Sequence, residues 1–121
     1  MSRPILIVDD SVTIRQMLSF TLKSAGYAVT EACDGRDALD KLEGQRVDLI
    51  ITDLNMPRMD GITLIRAVRT RPASRNTPVL MLTTESQDVK KQEGRAAGAT
   101  GWIVKPFQPD RLLQVIARVL P

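Results

Sequence analysis

The chain has 121 residues, enough for one domain with a sizeable core. Hydrophobic residues make up 43% and aromatic ones only 3%, so that core has to be built from Val, Ile, Leu, Met and Ala. One cysteine, Cys33, and no histidine exclude an internal disulfide and argue against zinc or haem, and a net charge of +3 without a recognisable binding module gives no nucleic-acid footprint.

Met1-Ser2-Arg3-Pro4 runs into the apolar Ile5-Leu6-Ile7-Val8, a first strand, with no signal-peptide pattern. Asp9-Asp10 follow. Ser11 is placed to cap a helix in which Ile14, Met17, Leu18, Leu22 and Ala25 share a face until Gly26 ends it. A second strand is expected over residues 28–32, then a short helix over 35–42 with Ala38, Leu39 and Leu42 inward. Leu49-Ile50-Ile51-Thr52 predicts a third strand that delivers Asp53. The loop after it, Leu54-Asn55-Met56-Pro57-Arg58-Met59-Asp60-Gly61, is long and rich in turn residues. A helix over 61–69 offers Ile62, Leu64, Ile65 and Val68 to the core, and Val79-Leu80-Met81-Leu82 predicts a fourth strand leading to Thr83-Thr84. The fourth helix, over 87–97, has the weakest pattern. Only Val89, Ala96 and Ala97 look buried, and Gly94 costs about 1 kcal/mol relative to alanine. Trp102-Ile103-Val104 ends a fifth strand before Lys105-Pro106. Pro109 and Asp110 open a last helix with Leu112, Val115, Ile116 and Val119 as its stripe.

Alternating strands and helices predict an α/β fold, and near-continuous apolar strands predict a parallel sheet covered on both faces. The expected architecture is a doubly wound, flavodoxin-like (βα)5 unit of strand order 2-1-3-4-5, forming one domain over residues 1–121. No apolar run approaches a membrane span, so a cytoplasmic protein without membrane insertion is expected. The clusters Arg66, Arg69, Arg71, Arg75 and Lys90, Lys91, Arg95 read as solvated helix faces, with docking of an acidic protein left open.

Right-handed crossovers bring every strand's carboxyl end to one edge, where ligands of open α/β sheets bind. Asp9, Asp10, Asp53, Thr83, Thr84 and Lys105 then converge. Carboxylates gathered at one point repel unless a positive charge joins them, and magnesium is a hard cation suited to such oxygens. Asp10 and Asp53 are the expected direct ligands, with Asp9 acting directly or through water and the Asn55 backbone carbonyl as a further oxygen. A carboxylate can also attack phosphorus to form an acyl phosphate, and Asp53, on the central strand, is the candidate. The metal and Lys105 would stabilise the transferring group, with Thr83 as hydroxyl donor. A cis Lys105–Pro106 peptide is expected to aim the lysine inward. Each residue alone has a plainer reading: helix cap for Asp9-Asp10, turn residue for Asp53, strand end for Thr83, solvated side chain for Lys105. Their coincidence at successive strand ends outweighs these.

Ile5-Leu6-Ile7-Val8-Asp9-Asp10-Ser11, Ile51-Thr52-Asp53-Leu54-Asn55-Met56-Pro57-Arg58-Met59-Asp60-Gly61 and Val104-Lys105-Pro106-Phe107 resemble the motif blocks of the receiver domains of two-component response regulators. The resemblance covers essentially the whole chain and implies a stand-alone regulator. Leu82-Thr83-Thr84-Glu85-Ser86 and residues 97–107 look most like the chemotaxis members. The resemblance implies a phosphoacceptor signalling protein rather than an enzyme, with at most self-catalysed phosphorylation and dephosphorylation. Asp53 would accept phosphate from a histidine kinase, a chemotaxis kinase in that subgroup. Asp9 and Asp10 would hold Mg2+, with Mn2+ as a substitute, and Thr83 and Lys105 would bind the phosphoryl group.

Trp102 would occupy the switching aromatic position, usually Tyr or Phe. Thr83 drawn toward phosphate would vacate space for it and reshape the face of the fourth helix, fifth strand and fifth helix. The implied partners of this monomer are a flagellar motor switch protein or other target, and a phosphatase. Thr84 and Asn55 flank the site and would govern access of hydrolytic water. Competing readings are a phosphate sink or shuttle, a Mg2+-dependent aspartyl-phosphate phosphatase, and a flavin or nucleotide carrier. The phosphatase wants a second acid where Asn55 stands, and the carrier wants a phosphate-cradling loop where Asp9-Asp10 stand.

Overall fold

Strands form where the aliphatic runs lie: β1 (Pro4–Val8), β2 (Ala28–Ala32), β3 (Leu49–Asp53), β4 (Val79–Thr83) and β5 (Gly101–Val104). The computed structural model describes residues 3–84 and 87–120, so Glu85 and Ser86 of the chemotaxis-like stretch, with Met1, Ser2 and Pro121, lie outside the described residues. All pairings are parallel and the order is β2-β1-β3-β4-β5, as expected. Between the strands run α1 (Val12–Ser24), α2 (Gly35–Gly44), α3 (Gly61–Thr70) and α4 (Asp88–Ala97), and α5 (Pro109–Val119) closes the chain.

Successive strand residues point to opposite faces, so each strand feeds two cores. Leu6, Val8, Ile50 and Met81 pack with Ala38 and Leu39 of α2 and with Ile62, Leu64, Ile65 and Val68 of α3. Ile5, Ile7, Ile51, Leu80 and Leu82 pack with Leu18 and Leu22 of α1 and with Leu112 and Ile116 of α5. Burial on both faces explains why β1, β3 and β4 read as unbroken apolar runs.

Local chemistry sets the helix starts. Ser11 Oγ accepts the Ile14 N–H at 3.2 Å, Asp34 Oδ1 that of Asp37 at 2.8 Å and Asp60 Oδ1 that of Thr63 at 2.8 Å. Gly26 ends the first helical unit at φ 95.

Three sequence readings need correction. In α1, Met17 and Ala25 are exposed, because the buried stripe is narrow: Leu18, Ser19 and Leu22, with Ile14 half-buried one turn earlier. In α4, Val89 is 69% exposed, Ala96 is exposed as well, and the buried residue is Gly94. A Cβ at Gly94 would stand 2.0 Å from Met81 Sδ, so close approach to β4 takes precedence over helix propensity there. Arg69 is not a solvated helix-face residue. Its Nε and Nη2 donate to the Gly98 carbonyl at 3.0 and 2.8 Å and its Nη1 to the Thr77 carbonyl at 2.6 Å, which ties α3 to the end of α4.

Gly61 sits where a Cβ would be 2.2 Å from the Asp53 carbonyl oxygen, a backbone atom that cannot swing away. Gly61→Ala is therefore expected to destabilise by about 1–3 kcal/mol in a urea melt, against the roughly 1 kcal/mol gain that helix propensity alone gives. The Thr63 N–H holds the Asp60 carboxyl below the ordinary carboxylate range, against the opposing effect of burial. With the folded pKa below the unfolded value of about 3.9, this cap's stabilisation is full above that pH and is lost as pH falls through the folded pKa. Asp60→Asn keeps a capping oxygen without the titration, so its urea midpoint should fall less steeply than the wild type's between about pH 5 and 3.

Candidate functional site

Asp9 follows β1, and Asp53 and Thr83 close β3 and β4. Lys105 follows β5, so parallel pairing places all four on one sheet edge. Asp9 is wholly buried and Asp53 is 8% exposed, whereas Asp10 faces solvent. One carboxylate oxygen from each of Asp9, Asp10 and Asp53 lies within 4.8 Å of the others. The Lys105 ammonium stands between two of them, with Nζ 3.2 Å from Asp9 Oδ2 and 3.2 Å from Asp53 Oδ1. The Lys105–Pro106 peptide is cis, and the Lys105 N–H donates to the Thr83 carbonyl at 2.6 Å.

Backbone donors orient the acids. Asp9 Oδ1 accepts the Ser11 N–H at 2.9 Å and Asp53 Oδ1 accepts the Leu54 N–H at 2.8 Å. Arg15, which the sequence reading passed over, donates from Nη1 to the Asp9 carbonyl at 2.6 Å and pairs with Glu31 at 3.3 Å. Its spacing of one helical turn from Ser11 is the only sequence signal for this role. Arg58 of the β3–α3 loop, which has no sequence signal for its role, donates from Nε to Asp34 Oδ2 at 2.7 Å.

Burial pushes the Asp9 carboxyl up and the Asp53 charge adds to this, outweighing the Ser11 N–H and the Lys105 ammonium. For Lys105, burial acts against the charge, yet Asp53 and Asp9 together hold its pKa above the ordinary lysine value. Burial thus dominates the shift at Asp9, whereas the two buried carboxylates outweigh burial at Lys105. Hard oxygen donors at this separation, with one acid resisting ionisation, fit a divalent cation.

Thr83 Oγ1 is buried with no hydrogen-bond partner among the described residues. A buried hydroxyl in that state is costly and suits a ligand that brings acceptor oxygens. Asn55 and Thr84 are exposed on the loops leaving β3 and β4, with the Thr84 N–H donating to Gln87 Oε1 at 2.7 Å. Trp102 is 37% exposed on β5. Its ring sits under Lys91 Nζ at 5.6 Å and Arg95 Cζ at 5.5 Å, so these two cations do more than solvate α4.

The response regulator receiver domain family matches residues 5–117. A chemotaxis protein CheY from Pseudomonas aeruginosa is 41% identical over 116 residues, covering 95% of this chain and 94% of that protein. The structure of the chemotaxis response regulator CheY4 of Vibrio cholerae is 54% identical at a TM-score of 0.93, covering 98% of this chain and 99% of that one. A receiver domain of the sensor histidine kinase PA1611 from Pseudomonas aeruginosa, solved with magnesium coordinated in its active-site cleft, is 30% identical at a TM-score of 0.90, covering 98% and 97%.

Replacing the unpartnered hydroxyl with a methyl removes a desolvation penalty. Thr83→Val is thus expected to raise stability by about 1 kcal/mol, read as a higher urea midpoint. An unchanged or lower midpoint would mean that the hydroxyl is satisfied.

Proposed function

The chain belongs to the response regulator receiver domain family, and from that premise we propose that it is a phosphoacceptor switch in which Asp53 takes a phosphoryl group from a histidine kinase. The observation that carries this reading is the pairing of Asp53 with Lys105 at 3.2 Å inside a cluster of three acids. An Asp53 oxygen attacks the phosphorus of a phosphohistidine, the P–N bond breaks and the imidazole leaves with the electron pair. The product is an acyl phosphate on Asp53. Lys105 accompanies the charge that spreads over the phosphoryl oxygens, and the Thr83 hydroxyl supplies a donor to one of them.

Asp9, Asp10, Asp53 and the Asn55 backbone carbonyl would hold the cation, Mg2+ with Mn2+ as a substitute. When bound, that cation supplies charge neutralisation between the acids and the incoming phosphoryl oxygens. The donor set supports this, as does the magnesium in the cleft of the related receiver. The same residues promote both transfer to Asp53 and later hydrolysis, and Thr84 and Asn55 border the path of attacking water. The protein has no enzymatic turnover of a separate substrate on this reading.

Phosphorylation adds about two negative charges beside a buried hydroxyl that has no partner among the described residues. Thr83 turns toward them and Trp102 moves against the space it leaves, so the face formed by α4, β5 and α5 changes for its partner. Likeness to CheY and CheY4 supports a chemotaxis kinase upstream and a flagellar motor switch protein downstream, with a phosphatase ending the signal. No described helix is long and apolar enough to cross a membrane. A cytoplasmic monomer acting through residues 1–121 as one receiver domain fits this role.

Incubation with acetyl phosphate and Mg2+, read by intact mass, is expected to add one phosphoryl group to the wild type and none to Asp53→Asn. Lys105→Ala should label far more slowly. Equal labelling of wild type and Asp53→Asn would move the acceptor elsewhere and end this reading.

A further inference from the structure

The loop from β3 to α3 is pinned at two points. At its far end the Gly61 N–H donates to the Leu54 carbonyl at 3.0 Å. At its tip the Arg58 guanidinium forks onto Asp34, Nε to Oδ2 at 2.7 Å and Nη2 to Oδ1 at 3.1 Å. Beside this fork the Gly35 N–H donates to the Met59 carbonyl at 3.2 Å, and a Cβ at Gly35 would meet that oxygen at 2.9 Å.

Two features set this pair apart from an ordinary surface bridge. The Asp34 side chain is only 5% exposed and also caps α2, so the anchor is fixed by its own helix. Arg58 has φ 65, the one non-glycine residue among those described with a positive φ. An arginine in the left-handed region is strained, and such strain persists where surrounding contacts over-determine it. Only Met56 and Pro57 separate Arg58 from Asn55, and Asn55 is two residues beyond Asp53. The fork therefore fixes the backbone next to the carboxylate cluster.

We propose that the Arg58–Asp34 pair is a positioning device for the cation site, holding the β3–α3 loop so that the Asn55 carbonyl stands with the carboxylates of Asp9, Asp10 and Asp53. This rests on the phosphoacceptor reading, which takes that carbonyl as a ligand. A pair that served only to stabilise α2 would leave cation affinity untouched.

The two roles separate at Arg58, because Asp34 serves both the fork and the helix cap. Arg58→Asn tolerates a left-handed backbone, leaves the α2 cap in place and removes the fork; Arg58→Lys keeps a charge with a single donor head. Mg2+ titration by calorimetry without any phosphodonor, with a urea melt of each protein, reads both properties. Outer partners bonded directly to metal ligands change affinity by roughly 10- to 100-fold; Arg58 acts one step further out, through the loop backbone, so Arg58→Asn should bind Mg2+ more weakly by less than that, about 5-fold. Arg58→Lys should fall between it and the wild type; both should melt below the wild-type midpoint, since the buried Asp34 carboxylate loses its charged partner, while staying folded at the titration temperature. Wild-type Mg2+ affinity in Arg58→Asn would overturn the positioning role alone. So would a weakening that merely tracks lost folded protein. Absence of saturable Mg2+ binding by the wild type would instead remove the cation reading and this proposal with it.

Discussion

Like charges brought together at the carboxyl edge of a parallel sheet are the constraint around which the molecule is arranged. Asp9 and Asp53 are buried and share a single ammonium. Removing a partner from a buried ionic cluster costs more than the cluster contributes, because the remaining charge stays desolvated. Around it the backbone is held tightly. Arg15 fixes the Asp9 carbonyl, Leu54 and Ser11 donate to the acids, and Gly61 lets α3 begin against Asp53 itself. The fold's apolar volume lies behind this edge in two layers, so the acids cannot relax apart without disturbing β1 and β3.

Much of this was legible because the strands are buried on both faces and announce themselves as aliphatic runs ending in polar residues. Leu49 through Thr52 followed by Asp53 needs no tertiary knowledge to read, and the α/β alternation then fixes which edge the acids share. The helices were legible where one face is clearly apolar, as in α5 with Leu112 and Ile116 buried. Legibility failed where contact distance rather than hydrophobicity decides. Gly94 looked like a weakness in α4 and is its buried contact with Met81, and Val89 looked like core and is exposed. Periodicity counts apolar residues and is blind to a position that must have no side chain.

Charged residues were misread for a related reason. Arg69, Lys91 and Arg95 look like solvated cations in sequence, yet each finds a specific partner on another element. A long cationic side chain reaches whatever acceptor or ring the fold brings near, and one sequence carries no record of that distance. Arg58 adds a backbone term, since its left-handed φ has no composition signal at all. Asp34, which the sequence analysis does not single out, caps α2 and holds Arg58 with the same carboxylate.

The cation pair on Trp102 bears on how such a switch would be balanced. Each contact at an exposed site is worth roughly 0.5–1 kcal/mol, so Lys91 and Arg95 together hold the ring outward by about 1–2 kcal/mol. On the proposed reading, inward movement of Trp102 gives up both contacts and must be offset by bonds between Thr83 and the phosphoryl oxygens. One charge-assisted hydrogen bond of roughly 1.5–3 kcal/mol is comparable to that loss. A full reversal of populations needs about 5.5 kcal/mol. The remainder has to come from a partner that binds the rearranged face better than the resting one, so phosphate and partner complete the transition together. The weakly buried α4, which carries both cations and lacks a side-chain N-cap bond, is the element with least to lose in that rearrangement.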